Sequence, residues 1–201
     1  MLVLGIKTNL TGLDNLVKAA GPAANVGIAR ALNRTGNTVR SGYLREVRKV
    51  LGVKKHRFTR SGAIAAMKKR TSTRRANAGR LEYSLVGFGK GLDLLYYQAK
   101  ETPAGLNVFW LGARKIVPNS FYLGGRFPSR RGGFGPKIGM SAERIGQGRS
   151  ALRFRPKGPG IPEGMVAPPA ADYWEREARA RLAPRIAHEL TAILLGHAPG
   201  G

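Results

Sequence analysis

The side chains able to do chemistry are few and scattered. His56, His188 and His197 are the only histidines and there is no cysteine, so a zinc site would have to be built from imidazoles and carboxylates alone. His188-Glu189 begins like a zinc-protease helix, but such a helix needs a second histidine four residues on, and Ala192 stands there. Asp14, Asp93 and Asp172 lie far apart, two of them at capping or turn positions, and do not make an acidic cluster for magnesium. Gly133-Phe134-Gly135-Pro136-Lys137 lacks the second glycine before lysine and the hydroxyl residue after it that a nucleotide-binding loop uses. Gly87-Phe88-Gly89-Lys90-Gly91 does not match the dinucleotide fingerprint, and turns or bulges account for it. A nuclease or polymerase centre would need carboxylates beside the basic region. The expectation is a protein that is not an enzyme and holds no cofactor or metal.

Charge is the signal that remains. The chain has 201 residues with 35 Lys and Arg against 11 Asp and Glu, a net charge of +24. From Val26 to Arg80 there are 16 cations and one acid, Glu46. Between Glu46 and Glu82 no acid occurs, while Lys54, Lys55, Arg57, Arg60, Lys68, Lys69, Arg70, Arg74, Arg75 and Arg80 accumulate. Such a tract can neutralise backbone phosphates and bind nucleic acid with steep salt dependence. It can equally dock an acidic protein surface, or simply be solvated. A second basic stretch runs from Gly124 to Gly160, dense in Gly, Arg and Pro with one acid, Glu143. Arg126, Arg130, Arg131, Phe134 and Lys137 mark it as an inter-subunit arm, spanning 124–170 with the prolines that follow. Arg130-Arg131-Gly132-Gly133-Phe134 is similar to an arginine-glycine RNA-binding tail, in a single copy.

The elements that must position these residues follow from periodicity. Val3 to Thr8 alternates as a short strand, and Thr11-Gly12-Leu13-Asp14 offers a capping box to a helix whose apolar face is Leu13, Leu16, Val17 and Ala20. Gly21 stops that helix and Pro22 starts the next. The second helix should reach about Leu51, with Ile28, Leu32, Thr35, Val39, Tyr43, Val47 and Val50 or Leu51 as its apolar stripe and Gly52 as its C-terminal cap. Arg30, Arg34, Arg40, Arg45, Arg48 and Lys49 fall largely outside that stripe. Lys54 to Arg60 suits a short basic helix. Strands are expected at Leu81–Val86, Leu106–Leu111 and Phe121–Leu123, with glycines between them. Asp172 should cap a last helix striped by Trp174, Ala178, Leu182, Ile186, Leu190 and Ile193, kinked or split at Pro184. The class is α+β: two N-terminal helices and one C-terminal helix packed on an antiparallel β-sheet, one domain over 1–201 with a long Gly/Arg/Pro-rich loop. Met1 to Lys7 shows no basic leader and no run is long enough to span a membrane, so a soluble protein is expected.

Three stretches, in order and spacing, resemble the minor tail protein Z family of tailed phages and prophages. They are Ile6-Lys7-Thr8-Asn9-Leu10-Thr11-Gly12-Leu13, the Ala29-Arg30-Ala31-Leu32-Asn33-Arg34-Thr35 helix with Val39-Arg40 behind it, and Gly52-Val53-Lys54-Lys55. Pro118-Asn119-Ser120-Phe121 and His188-Glu189-Leu190 fit as well. The resemblance covers roughly the first 50 residues and is diffuse beyond. Val166-Ala167-Pro168-Pro169-Ala170 replaces the family's Gly-Pro-Ser, and the Gly124 to Gly160 loop is longer and richer in glycine.

The resemblance implies a structural virion protein that completes the tail at its head-proximal end, made in the host cytoplasm. It implies a homo-oligomeric ring, typically of six copies. Its partners would be tail terminator, tail-tube and head–tail connector proteins, with DNA in the tail lumen and no membrane. Within that reading, the 124–170 arm should order against a neighbouring subunit or tail protein. The alternative is a stand-alone basic nucleic-acid-binding protein, resting on the same charge.

Overall fold

The apolar positions of the second helix recur every three or four residues, and burying that stripe organises the rest of the molecule. The computed structural model describes residues 2–7, 13–53, 67–89, 91–125, 141–146, 151–154 and 156–196. β1 spans Leu2–Lys7 and α1 spans Asp14–Ala20. Leu13 stands at the α1 N-cap without a side-chain cap, and Thr11 lies outside the described residues. Gly21 ends α1 at φ 54, and a 3-10 turn, Gly21–Ala23, leads through Pro22 into α2, Ala24–Val50. Ile28, Leu32, Thr35, Val39, Tyr43, Val47, Val50 and Leu51 are all buried, as the spacing predicts. Gly52 closes α2 at φ 67, its amide donating to the Lys49 carbonyl while the Val53 amide donates to Arg48, so the last carbonyls are satisfied. A Cβ at Gly52 would also collide with the Phe109 backbone.

α3, Ile161–Val166, and α4, Pro168–Leu194, follow the strands. α4 lies antiparallel along α2, since Gly27 faces Leu190 and Ile193 whereas Gly42 faces Tyr173. Asp172 does not cap it. The helix starts four residues earlier at Pro168, with the Ala167 carbonyl accepting from Ala170 and Ala171, and Asp172 is exposed within it. Pro168 and Pro169 supply helical φ and have no amides to satisfy, so the first turn forms without a side-chain acceptor. Nor does Pro184 split the helix: its ring is exposed, and buried Leu182 and Ile186 hold both sides to the core. Trp174 is the centrepiece, edge-on to Tyr43 at 5.1 Å and stacked near Tyr83 at 6.5 Å. The Tyr43 hydroxyl donates to the Met165 carbonyl at 2.8 Å.

The strands form three small antiparallel sheets rather than one. β2, Thr71–Arg74, and β1 flank β3, Glu82–Gly87, giving the order β1-β3-β2. β3 is buried on both faces, and the face that carries Tyr83 and Gly87 packs on α2, where Gly36 leaves space for the Tyr83 ring, and on Met165 of α3. The second sheet is β4, Lys100–Thr102; β5, Gly105–Trp110; and β6, Ala113–Pro118. Leu111 and Gly112 join β5 to β6 with φ 49 and 81, the two left-handed residues of a tight hairpin turn. The third is β7, Ser120–Tyr122; β8, Ser141–Arg144; and β9, Leu152–Phe154, around buried Phe121, Leu123 and Ala142.

The fold is therefore α+β. The 124–170 stretch is not an extended arm throughout, because β8, β9, α3 and the start of α4 lie within it. The reason is pairing: Ser141 and Ala142 are fully buried opposite β7, and residues 156–160 hydrogen-bond back to Leu92 and Leu94.

Candidate anionic-partner interface

α2 carries, beside its apolar stripe, a polar row at Asn33, Asn37 and Arg40, four and three residues apart and so on one side of the helix. Asn33 makes a two-way clamp on the chain after β2: Nδ2 donates to the Ala76 carbonyl and the Ala76 amide donates to Oδ1, both at 2.9 Å. Arg40 Nη2 donates to Thr71 Oγ1 at 2.9 Å and to the carbonyls of Lys68 and Thr71 at 3.2 and 3.3 Å. Asn37 Oδ1 accepts from the Tyr83 hydroxyl at 3.2 Å. Burial pushes the Tyr83 phenol above its usual range, and the positive charges of Arg40 and Arg75 pull it partly back.

These anchors fix a strand and a turn loaded with cations. Asn77 and Arg80 exchange two backbone hydrogen bonds of 3.0 Å, the Gly79 amide donates to Asn77 Oδ1, and the Arg80 guanidinium donates to the Arg75 carbonyl. The turn thus satisfies its own backbone and leaves charge outside. Lys68, Lys69, Arg74, Arg75 and Arg80 are exposed and Arg70 is half-buried. Among the described residues, none of these six cations forms an ion pair with a carboxylate. Five of the nine residues singled out for partner contact from the sequence, Lys68, Lys69, Arg70, Arg74 and Arg75, are thereby brought together on one segment. Lys54, Lys55, Arg57 and Arg60 lie outside the described residues, as do Arg126, Arg130, Arg131, Phe134 and Lys137 and the predicted helix at 54–60.

The arginines of α4 behave differently. Glu189, nearly buried, takes Arg34 Nη1 at 2.8 Å and Arg185 Nε at 3.3 Å. Arg181 sits on Glu177 at 2.9 Å and Arg179 on Glu175 at 3.4 Å. His188, the one described histidine, is exposed on α4, and its neighbour Glu189 turns inward to the arginines. Asp93 caps the 3-10 turn Leu94–Tyr96 through the Leu95 amide and accepts from Ser141 Oγ at 2.6 Å. Among the described residues no group of three or more His, Cys, Asp and Glu converges, and no helix is long and apolar enough to cross a membrane.

Charge did not mark Asn33 and Asn37, whose trace in the sequence is a polar spacing alongside the apolar one, and Arg40, read as lying largely outside the apolar stripe, is half-buried against Thr71. No family model, curated protein or solved structure matches this chain.

Proposed function

We propose that this chain is a structural virion protein that completes a phage tail at its head-proximal end as one subunit of a ring, with no catalytic step. The observation that carries the reading is the cationic segment 68–80, free of carboxylates among the described residues and clamped to α2 by Asn33. Asn33 belongs to the Ala29–Thr35 stretch on which the resemblance to minor tail protein Z rests. A basic surface held by backbone clamps loses little conformational freedom on docking, which suits a permanent joint to an acidic neighbour. Heterologous joints of this kind close into rings.

Electron microscopy of purified tails tests this directly: density for the chain is expected as a ring at the junction with the head. A chain that is absent from tails, stays monomeric, and binds duplex DNA with a steep salt dependence would overturn it in favour of a nucleic-acid-binding protein.

A further inference from the structure

The sheet β1-β3-β2 has two outer strands, and neither has a described strand beside its far edge. One hydrogen bond fixes which backbone groups those edges present. The Phe88 amide donates to the Arg70 carbonyl, continuing the β2–β3 ladder one residue past the Thr71–Gly87 pair. Alternate residues of a central strand bond to opposite neighbours, so Val86 and Ser84 bond to β2, while Gly87, Leu85 and Tyr83 bond to β1. The backbone groups of Leu2, Leu4 and Ile6 are thereby used, and those of Val3 and Gly5 point away from the sheet. On β2 it is Thr73 that points away, the Thr71 carbonyl being taken by Arg40. The open edge of β1 borders a groove of about 450 Å³, with Val3 and Gly5 on one wall and Trp174, Ala178 and Leu182 of α4 on the other. A free strand edge beside a helix offers an added strand backbone hydrogen bonds on one side and packing on the other. Glu82 borders the groove too. Its carboxylate lies 2.9 Å from where a Gly5 Cβ would stand, and it forms no ion pair among the described residues, whereas Glu175 is held by Arg179.

We infer that the strand filling this groove is β2 of a second copy of the chain. β1 and β2 both run antiparallel to β3 and so are parallel to each other, and a rotation about an axis along the strands brings β2 of one copy parallel to β1 of the next. In that joint the second copy's Thr73 amide donates to the Val3 carbonyl, and its Thr73 carbonyl accepts from the Gly5 amide. This register sets Thr73 beside Leu4 on the face that carries Tyr83, and Arg74 beside Gly5 on the opposite face, where the Glu82 carboxylate lies. Arg74, exposed and without a carboxylate among the described residues, thus meets an unpaired acid of its neighbour. Two β2 edges would oppose their own arginines, so the joint is head to tail, and such joints close into rings. The inference rests on the ring proposed above and names the acidic neighbour of 68–80.

The absence of cysteine allows a cross-linking test on the full chain. Within one copy Val3 and Ser72 stand opposite Val86 on either side of β3, about 10 Å apart and beyond the reach of a disulfide. Across the joint they are direct neighbours, about 5 Å apart. Under mild oxidation Val3→Cys/Ser72→Cys is expected to give a ladder of covalent oligomers on a non-reducing gel, whereas Ser72→Cys alone can give no more than dimers. Adding Arg74→Glu or Glu82→Lys to the double variant should each reduce the ladder at least about fivefold. An equimolar mixture of those two should restore it, because each copy then offers the other an opposite charge at both joints. Thr73→Pro, which removes an outward amide on an edge strand, should abolish the ladder while the thermal midpoint stays near that of the parent. The inference is overturned if the double cysteine variant gives nothing larger than dimers, if the ladder survives Arg74→Glu, or if the mixture does not restore it. A ladder from a chain that is absent from tails leaves this joint standing and removes the tail reading; a ring in tails without a ladder removes this joint alone.

Discussion

The α2–α4 seam and the segment 68–80 are both rich in arginine, and they use it in opposite ways. Along the seam each arginine has a carboxylate at hand, so Arg34 and Arg185 flank Glu189, and Arg181 meets Glu177. There charge serves the fold, because a nearly buried carboxylate needs its cations. On 68–80 the backbone is what the fold satisfies, through Asn33, Arg40 and the Asn77–Arg80 turn, and the cations are left over. The difference shows that counting positive charge does not locate a binding surface. It separates positive charge that the fold consumes from positive charge on fixed backbone that has no neighbouring acid among the described residues.

That contrast can be broken at either side. The largest effect is expected from the double variant Arg34→Met/Arg185→Met, which leaves Glu189 buried without a cation and should cost about 3–5 kcal/mol in urea unfolding. Adding Glu189→Met should recover most of the loss, and a double variant as stable as the parent would mean the seam does not depend on its charges.

Alkaline pH attacks the same core by another route. Burial pushes the phenols of Tyr43, Tyr97 and Tyr83 above their usual value near 10. The native state then keeps protons that the unfolded chain releases, so this stability is complete below about pH 10 and is lost as pH rises toward the native values. The urea midpoint should be level from pH 7 to 9 and fall by pH 11, where the arginines of 68–80 remain charged. A midpoint unchanged at pH 11 would contradict the burial of these hydroxyls.

A smaller effect is expected from Asn33→Ala, which strips partners from both the amide and the carbonyl of Ala76. About 1–3 kcal/mol should be lost, together with hydrogen-exchange protection at Ala76 while that at Tyr83 persists. The smallest change in stability belongs to Arg74→Glu/Arg75→Glu, within about 0.5 kcal/mol because neither side chain pairs with a carboxylate among the described residues. The same variant should fail to enter tails. Normal incorporation would remove 68–80 as the joint.

The helices were legible because their signal is local. The stripe from Ile28 to Leu51 and the one from Trp174 to Leu190 are written at the helical period, and both are buried as read. Strand boundaries were less so. β6, with Arg114 and Lys115 pointing outward on an exposed strand, has no apolar alternation to betray it, and it forms because a two-residue turn returns it against β5. β8 and β9 were hidden in a glycine-rich composition that suggests an arm, since β8 is buried by pairing with β7 across a long interval of sequence and β9, largely exposed, forms by pairing with β8. Asp172 misled for a similar reason: it looks like a cap, but two prolines upstream start the helix without one.

The sequence alone determined the α+β class, the two long helices with their buried faces, the glycine that ends α2, and the concentration of charge between Val26 and Arg80. All of these depend on residues within a few turns of one another, where backbone geometry sets the pattern. Only the tertiary structure decided which cations are spent on Glu177 and Glu189 and which remain on 68–80. It also decided that Asn33 clamps Ala76 across 43 residues, and that Arg34, Arg181 and Arg185 share one groove. Ion pairing and desolvation act over a few ångströms in space, and distance along the chain does not encode them.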